Sequence, residues 1–290
     1  MGNSTVLITG STGLLGKKVT DSLCLDHDVH AIVRNPLHAM DARVTPHVID
    51  FSSDWSSDSL PDQVDVVIHL AQSEFFREFP ERAIDVFRVN VESTARLIDY
   101  ARRAGARHFV YASSGGIYGF GQQAFDENAP IVGHGDLGFY LGSKLSGETL
   151  VQHYANLMQI TILRFFFIYG KEQKRSMLLP RLVDNVKDGN PVVLQGEQGI
   201  RINPIHVSDA SNAVVATLGL EESSIFNVAG PEVLSLVQIC ETIGDRLGTE
   251  VNYTREEIEP RDLVGDISAM RGKLVEPSVC FADGMDDLLS

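Results

Sequence analysis

The chain has 290 residues, of which 43% are hydrophobic and 22% charged, as in an ordinary globular domain large enough to bury a sizeable core. The net charge of −15 opposes non-specific binding to nucleic acid or to an anionic membrane surface. The three cysteines are far apart, so neither disulfides nor a metal site is expected, which fits a reducing cytoplasm. No basic region precedes a long apolar segment, so neither a signal peptide nor a membrane span is expected.

The first part of the chain alternates strand-like apolar runs with helix-like segments. Predicted strands cover 6–9, 29–33, 48–50, 64–70, 108–112 and 160–166, and predicted helices cover 14–25, 80–104 and 140–157. Strands that alternate with helices across short turns indicate a parallel sheet with helices on both faces. The fold class is therefore α/β, with a doubly wound parallel sheet.

The last third is less regular and predicts a smaller, discontinuous lobe. Predicted helices are 180–188, 209–218 and about 236–247, the last with a capping-box signal at Ser235 and Gln238, and predicted strands are 191–194 and 226–228. We expect a dinucleotide-binding domain over 1–168 and about 205–228. A substrate lobe is expected over 169–204 and 229–290.

A glycine turn follows the first strand and opens the first helix. It reads Gly10-x-x-Gly13-x-x-Gly16, and it lacks the residues of a P-loop. Glycines permit a tight turn and a close approach of the backbone to a pyrophosphate, while the helix N-terminus supplies N–H groups. The turn therefore predicts a dinucleotide site, against the alternative that the glycines serve only the turn.

Two positions bear on the choice of dinucleotide. Arg34 follows the second strand, where an NAD site usually has an acidic residue and where an arginine can pair with the 2′-phosphate of NADP. This favours NADP, although a solvent-facing arginine is an open alternative. Asp50 and Phe51 follow the third predicted strand and are candidates to bind and cover the adenine.

Tyr140 and Lys144 are spaced to share one helix face, and Ser113 and Ser114 end an upstream apolar run. A free tyrosine has a pKa of about 10, and a nearby ammonium favours the phenolate. Tyr140 is therefore a candidate acid/base, against the alternative of an accidental pair on a solvated helix.

Taken together, the motifs resemble those of the extended short-chain dehydrogenase/reductase family, in the branch of nucleotide-sugar epimerases and dehydratases. The resemblance covers nearly the whole length. The segments that carry it are Gly10-x-x-Gly13-x-x-Gly16, His69-Leu-Ala71, Asn90-Val, Ser113-Ser-Gly-Gly-Ile-Tyr118-Gly, Tyr140-x-x-x-Lys144, Arg164-Phe-Phe-Phe-Ile-Tyr-Gly170, Arg201-Ile-Asn-Pro-Ile-His206-Val-Ser-Asp209 and Phe226-Asn-Val-Ala-Gly230.

The resemblance implies a Rossmann fold and a role for each matched residue. Ser114 would bond the reacting oxygen, Tyr140 would be the acid/base, and Lys144 would lower the pKa of the tyrosine and hold the nicotinamide ribose. The implied NAD or NADP contacts are Gly10, Thr12, Gly13, Leu14, Leu15, Gly16, Arg34, Asp50, Phe51, Leu70, Ala71, Gln72, Asn90, Ser113, Tyr140, Lys144 and Phe166.

For the substrate, the resemblance implies that Arg201 and Arg261 grip the diphosphate of a nucleotide sugar, against the alternative that they pair with nearby carboxylates. Phe167 and Met177 would also line the substrate site with Ser114. Both stand where the family often has asparagine, which indicates a more apolar pocket. The resemblance also implies a homodimer formed through the helices at 80–104 and 140–157.

Three functions remain open at this point. The first is a nucleotide-sugar epimerase or oxidoreductase, for example one with UDP-sugar 4-epimerase activity, that works through a keto-sugar. The resemblance argues against a dehydratase or decarboxylase, since family members with those activities carry an acidic residue just after the catalytic serine or threonine, where this chain has Gly115 and Gly116. The second is an NADP-dependent ketoreductase acting on a non-nucleotide carbonyl, and the third is a dinucleotide-binding regulator without catalysis.

Overall fold

A seven-stranded sheet organises the first part of the chain, in a computed structural model that describes residues 4–35 and 40–289. Its strands are β1 Thr5–Thr9, β2 Asp28–Val33, β3 Val44–Val48, β4 Val66–His69, β5 His108–Ser114, β6 Gln159–Phe165 and β11 Ser224–Val228. Their spatial order is β11-β6-β5-β4-β1-β2-β3, the order of a Rossmann fold extended by one strand. The predicted fold class is confirmed.

Both faces of this sheet are covered. Leu7, Val67 and Phe109 lie in one core cluster with Leu97 and other residues of the helix that follows β4. Their neighbours along each strand point to the opposite face and are also fully buried, since the side chains of a strand alternate. Strands covered on both faces read as continuous apolar runs, which is why the sequence predicts them well.

The connecting helices differ in detail from the predicted ranges. They are α1 Leu14–Leu23, α2 Ala83–Phe87, α3 Ser93–Arg103, α4 His134–Gln152 and α6 Val207–Ala216. A π-helical turn, Arg88–Glu92, separates α2 from α3, so the single helix predicted over 80–104 is wrong in that respect. The prediction of β3 at 48–50 is also wrong. The observed strand pairs only with β2 and has mostly exposed or half-exposed side chains, so it carries no apolar signal.

The helix α4 contains a break near its start. Gly138 has φ 68° and ψ 168°, a backbone conformation that an L side chain rarely adopts. The continuous helix therefore begins after Gly138, and Tyr140 lies in its first turn. The positive end of the helix dipole there favours a negative charge.

Contacts divide the chain into two compact units. The first comprises Met1–Ile117, Ile131–Arg164 and Ser211–Phe226, and the second Tyr118–Pro130, Phe165–Ala210 and Asn227–Ser290. The sequence predicts a different division, in which 118–130, 165–168, 205–210 and 227–228 belong to the nucleotide-binding domain.

The second unit has its own core and three two-stranded sheets. Its further elements are β7 Ile168–Tyr169, α5 Leu178–Lys187, β8 Val192–Gln195, β9 Arg201–Ile202, β10 Ile205–His206, β12 Leu234–Ser235, α7 Leu236–Leu247, β13 Tyr253–Glu256, α8 Ser268–Lys273, α9 Phe281–Gly284 and α10 Asp286–Leu289. The capping box predicted for α7 is present, with Ser235 and Gln238 each accepting the other's backbone N–H. In the described part of the chain, no helix is both long and apolar enough to cross a membrane.

Candidate active site

The glycine turn between β1 and α1 is closely packed. Gly10 has φ +71°, and a Cβ there would stand 2.8 Å from the amide nitrogen of Ala71. A Cβ at Gly16 would stand 2.0 Å from the carbonyl oxygen of Gly10. The turn therefore requires glycine at both positions, one for its backbone conformation and both for the close approach of neighbouring backbone.

This turn fits a dinucleotide. The N-terminus of α1 has no side-chain cap, since Gly13 occupies the N-cap position, and Thr12 and Gly13 are exposed. A Cβ at Gly13 would meet only the oxygen of Gly10, at 3.3 Å, and otherwise open space. The first N–H groups of the ten-residue helix are thus available to a pyrophosphate.

The loop after β4 lies against the glycine turn. The amide of Ala71 donates to the hydroxyl of Thr9 over 3.1 Å, in addition to the contact of Ala71 with Gly10. The same Thr9 hydroxyl lies 2.7 Å from Nδ1 of the buried His69. Leu70 and Ala71 are half-buried and Gln72 is exposed, so the loop is open to a ligand on one side.

Tyr140 reaches this loop from α4. Its hydroxyl donates to Oε1 of Gln72 over 2.9 Å, and its ring centroid lies 4.8 Å from that of Phe76. Burial raises the pKa of the phenol above its ordinary value, and the cation of Arg77 opposes that rise. Phe76 and Arg77 are not predictable as site residues, because the loop that contains them has no recognisable sequence pattern.

Lys144 lies one turn further along the same helix. Its amine is buried and donates to the carbonyl oxygen of Ala112 over 2.9 Å. Burial lowers the pKa of Lys144 to about 8, and the carboxylate of Glu148 opposes this. The phenol and the amine therefore each have a partner of their own, and a substrate oxygen that takes the phenol's hydrogen bond must displace Gln72.

The two serines at the end of β5 differ in their surroundings. Oγ of Ser114 accepts from the amide of Gly116 over 3.2 Å, which leaves its O–H free to donate to a reacting oxygen. The hydroxyl of Ser113 is buried and has no hydrogen-bond partner among the described residues. An orphaned hydroxyl at a strand's carboxyl end fits a position at which a cofactor would supply the partner.

Asn90 connects the loop after β4 to α4. It lies in the π-helical turn, accepts from the amide of Ser73 over 2.8 Å and donates to Oγ of Ser143 over 2.9 Å. Ser143 in turn donates to the carbonyl oxygen of Tyr140 over 2.6 Å. Asn90 is therefore a buried support for the segment that holds the phenol.

Some of the residues predicted to bind the adenosine part of the cofactor already interact with other residues of the chain. Arg34 donates to the carboxylate of Glu74 over 2.6 Å, and this bond is the main reason that the pKa of Arg34 is raised, with Asp50 and Asp85 adding to it. Asp50 is exposed, whereas the ring of Phe51 lies in the core. The cluster of carboxylates around Arg34 weakens the argument for a 2′-phosphate.

The remaining predicted residues lie in the second unit. Phe166 is buried against Tyr118, with ring centroids 6.2 Å apart, and a Cβ at Gly265 would touch its ring. Phe167 has φ 42°, a backbone region that disfavours a bulky side chain and that asparagine tolerates. Met177 is the N-cap of α5, without a side-chain cap hydrogen bond.

The two candidate phosphate ligands differ. Arg201 is paired with Asp262, whose Oδ2 accepts from Nε over 2.8 Å and lies 2.6 Å from Nη2. Arg261 is exposed, and its side chain makes no hydrogen bond or ion pair within residues 4–35 and 40–289. The alternative that a carboxylate satisfies Arg201 is thus realised through Asp262, while Arg261 is available to an anion.

The sequence pattern of the NAD dependent epimerase/dehydratase family matches residues 6–229. The chain belongs to this family. The expected resemblance is thereby confirmed, and the protein is an enzyme of the extended short-chain dehydrogenase/reductase type, a class that works with NAD. The relatives are named as epimerases, dehydratases and decarboxylases.

Two relatives and one solved structure illustrate the similarity. An uncharacterized UDP-glucose epimerase, YtcB, of Bacillus subtilis (strain 168) is 26% identical, over 97% of this chain and 95% of its own length. A dTDP-glucose 4,6-dehydratase of Streptomyces griseus is 28% identical, over 76% and 69% of the two chains. The UDP-glucuronic acid 4-epimerase from Bacillus cereus, in complex with UDP-glucuronic acid and NAD, superposes with a TM-score of 0.84 at 23% identity, covering 98% and 97% of the two chains.

Proposed function

We propose that the protein is an NAD-dependent nucleotide-sugar epimerase or oxidoreductase that uses Tyr140 as its acid/base. One observation carries the proposal: the loop Leu70–Gln72 touches the glycine turn through Ala71 and the phenol of Tyr140 through Gln72. The dinucleotide turn and the proton-transfer group therefore meet at one three-residue loop of the first unit.

The residues have distinct tasks in the proposed reaction. The phenolate of Tyr140 accepts the proton of a sugar hydroxyl, Ser114 donates a hydrogen bond to the same oxygen, and the Lys144 cation favours the phenolate. Bound NAD supplies the acceptor for the hydride that leaves the hydroxyl-bearing carbon. A keto-sugar results. In an epimerase the keto-sugar rotates within the site and is reduced on its other face. In an oxidoreductase the keto-sugar is released after a single hydride transfer.

We propose NAD rather than NADP. Arg34, the residue that favours NADP in the sequence, is paired with Glu74 and has Asp50 and Asp85 nearby. Three carboxylates around one guanidinium leave no net positive charge for a 2′-phosphate. Relatives in the solved structures carry NAD, which agrees with this choice.

The nucleotide-sugar assignment depends on Arg201 and Arg261 as ligands of the diphosphate. Arg261 is exposed, and Arg201 keeps a largely exposed guanidinium beside Asp262. Apolar Phe167 and Met177 favour the second candidate, a ketoreductase acting on a non-nucleotide carbonyl. We also propose a homodimer through α2 and α4, which expose Ile84, Phe87 and Phe139 beside Phe79.

The test is a product assay with UDP-glucose or UDP-glucuronic acid as substrate and NAD added. We expect the wild type to form the 4-epimer or a keto product, and Tyr140→Phe to lose at least about 100-fold in turnover while still binding NAD. Near-normal turnover in Tyr140→Phe would refute the acid/base role. Consumption of NADPH with a small keto compound, without reaction of either nucleotide sugar, would favour the ketoreductase. Inertness in both assays would favour the regulator.

A further inference from the structure

Among the described residues, Glu148 is the one anionic group that acts on the Lys144 amine. Tyr140 and Glu148 share its helix, Tyr111 faces it from β5 with its ring centroid 5.6 Å from Nζ, and His69 interacts with it from β4. Burial raises the pKa values of both tyrosines, and burial together with Lys144 lowers the pKa of His69 to about 3. These three groups are therefore neutral at pH 7, and the negative charge that remains is that of Glu148.

Glu148 is almost fully buried, and both of its carboxylate oxygens are held by hydrogen bonds. It is 2% exposed and lies one helical turn after Lys144 on α4. Arg164 on β6, itself 5% exposed, donates from Nε to Oε1 over 3.1 Å and from Nη2 to Oε2 over 2.8 Å. Both carboxylate oxygens are thus oriented by one guanidinium, in the strong bidentate geometry.

A buried ion pair is a poor source of stability, because the cost of desolvating two charges offsets their attraction. The pair formed by Glu148 and Arg164 has a second effect that a pair of apolar residues would lack. It fixes a carboxylate one turn from an amine that is 3% exposed and would otherwise lose its proton to burial. The lysine must be cationic to favour a phenolate on Tyr140.

We propose that Glu148, held in place by Arg164, is a positioning residue that keeps the Lys144 amine cationic for the proton transfer at Tyr140. The proposal rests on the proposed function of Tyr140 and Lys144. Glu148 itself touches neither substrate nor cofactor in this account and acts only through Lys144. The spacing of Lys144 and Glu148, four residues on one helix face, is visible in the sequence, whereas the burial of Glu148 and its partner Arg164 are not.

The direct test is the titration of Lys144 by NMR of protein labelled at the lysine side chains, with the resonance assigned through Lys144→Arg. In Glu148→Gln, which keeps the shape and removes the charge, we expect the Lys144 pKa to fall by about one pH unit or more. In Glu148→Asp, which keeps the charge and changes the reach, we expect a smaller fall. Glu92 is half-exposed and pairs with Arg96 of α3, and it supplies the control Glu92→Gln, for which no change is expected.

Glu148→Gln removes the bidentate carboxylate from the buried Arg164, so the double variant Glu148→Gln/Arg164→Met guards against failure to fold. The Lys144 pKa of the double variant is also expected to fall, because the lost carboxylate of Glu148 is the charge that raises it. An unchanged Lys144 pKa in these variants would overturn the proposal. A lowered Lys144 pKa with an unchanged pH profile of kcat/KM would support the effect on Lys144 and instead refute the proposed function of Lys144 in catalysis.

Discussion

The hydroxyl of Tyr140 donates to the side-chain oxygen of Gln72, a residue 68 positions earlier in the chain, over 2.9 Å. Gln72 follows Ala71, whose backbone lies against Gly10. A bond from a neutral phenol to an amide oxygen stabilises the protonated phenol. Gln72 therefore holds Tyr140 protonated next to the dinucleotide turn until a substrate oxygen takes its place.

Gln72→Glu tests this relationship. A carboxylate that faces the phenol opposes its ionisation, so the pKa of Tyr140 rises further, and the acidic limb of the pH profile of kcat/KM moves to higher pH. A rise of about one pH unit lowers the phenolate fraction, and with it the rate at neutral pH, about tenfold. The control is Gln152→Glu at the exposed end of α4. A pH profile unchanged by Gln72→Glu would contradict the account.

The pair of Arg34 and Glu74 predicts a change of cofactor preference. Glu74→Gln frees the guanidinium from its 2.6 Å partner, so affinity for NADP should increase about tenfold while affinity for NAD changes little. Titration calorimetry with both dinucleotides measures this. Glu78→Gln, an exposed glutamate in the same loop paired with Arg82, is the matched control. Equal changes for NAD and NADP would remove the argument from Arg34.

Alanine substitutions at two glycines with positive φ distinguish the cost of backbone strain from the cost of a steric clash. Gly105→Ala, at φ +75° with no atom near the new Cβ, should cost about 1 kcal/mol of stability. Gly10→Ala, at φ +71°, also drives the Cβ into the backbone of Leu70 and Ala71, so it should cost at least about 2 kcal/mol more and abolish NAD binding. Urea unfolding and NAD titration measure both effects. Equal costs for the two variants would show that the turn relaxes freely.

His108 predicts a loss of stability in acid. Its ring is buried and lies 2.9 Å from the hydroxyl of Thr161, and burial lowers its pKa to about 4. In the unfolded chain, a histidine has an ordinary pKa of about 6.5, so between about pH 6.5 and pH 4 it is protonated there and not in the folded protein. The free energy of unfolding therefore falls as the pH falls over this range, by up to about 1.4 kcal/mol per pH unit. Urea unfolding of His108→Gln should show a shallower dependence on pH over that range. The exposed His153→Gln should match the wild type.

Phe167→Asn tests the substrate side. Asparagine adopts the φ of 42° at lower cost than phenylalanine, which should offset, within about 1 kcal/mol, the loss of packing against the core of the second unit. If the substrate is a nucleotide sugar, the new amide can bond to it, and KM for UDP-glucose should fall several-fold without a matching change in kcat. A higher KM for UDP-glucose, with a well-folded variant, would favour the apolar carbonyl substrate.

Much of the fold and of the catalytic group follows from local pattern. The buried strands, the glycine turn and the capping box at Ser235 depend on residues close together in the chain, whose spacing is visible directly. The spacing of Tyr140 and Lys144 likewise predicts one helix face. The edge strand β3 and the π-helical turn at Asn90 were not predictable in this way. The strand lacks an apolar face, and the turn depends on packing around it.

The partners of the site residues were decided only by the tertiary structure. Gln72 for Tyr140, Glu74 for Arg34 and Asp262 for Arg201 lie 68, 40 and 61 residues away along the chain. No short-range periodicity encodes which carboxylate or amide a folded chain brings to a given cation or phenol. Local spacing in the sequence thus identified the candidate catalytic and binding residues. Only long-range packing determined which charged and polar groups surround them, because electrostatic interactions depend on distance in space and on burial.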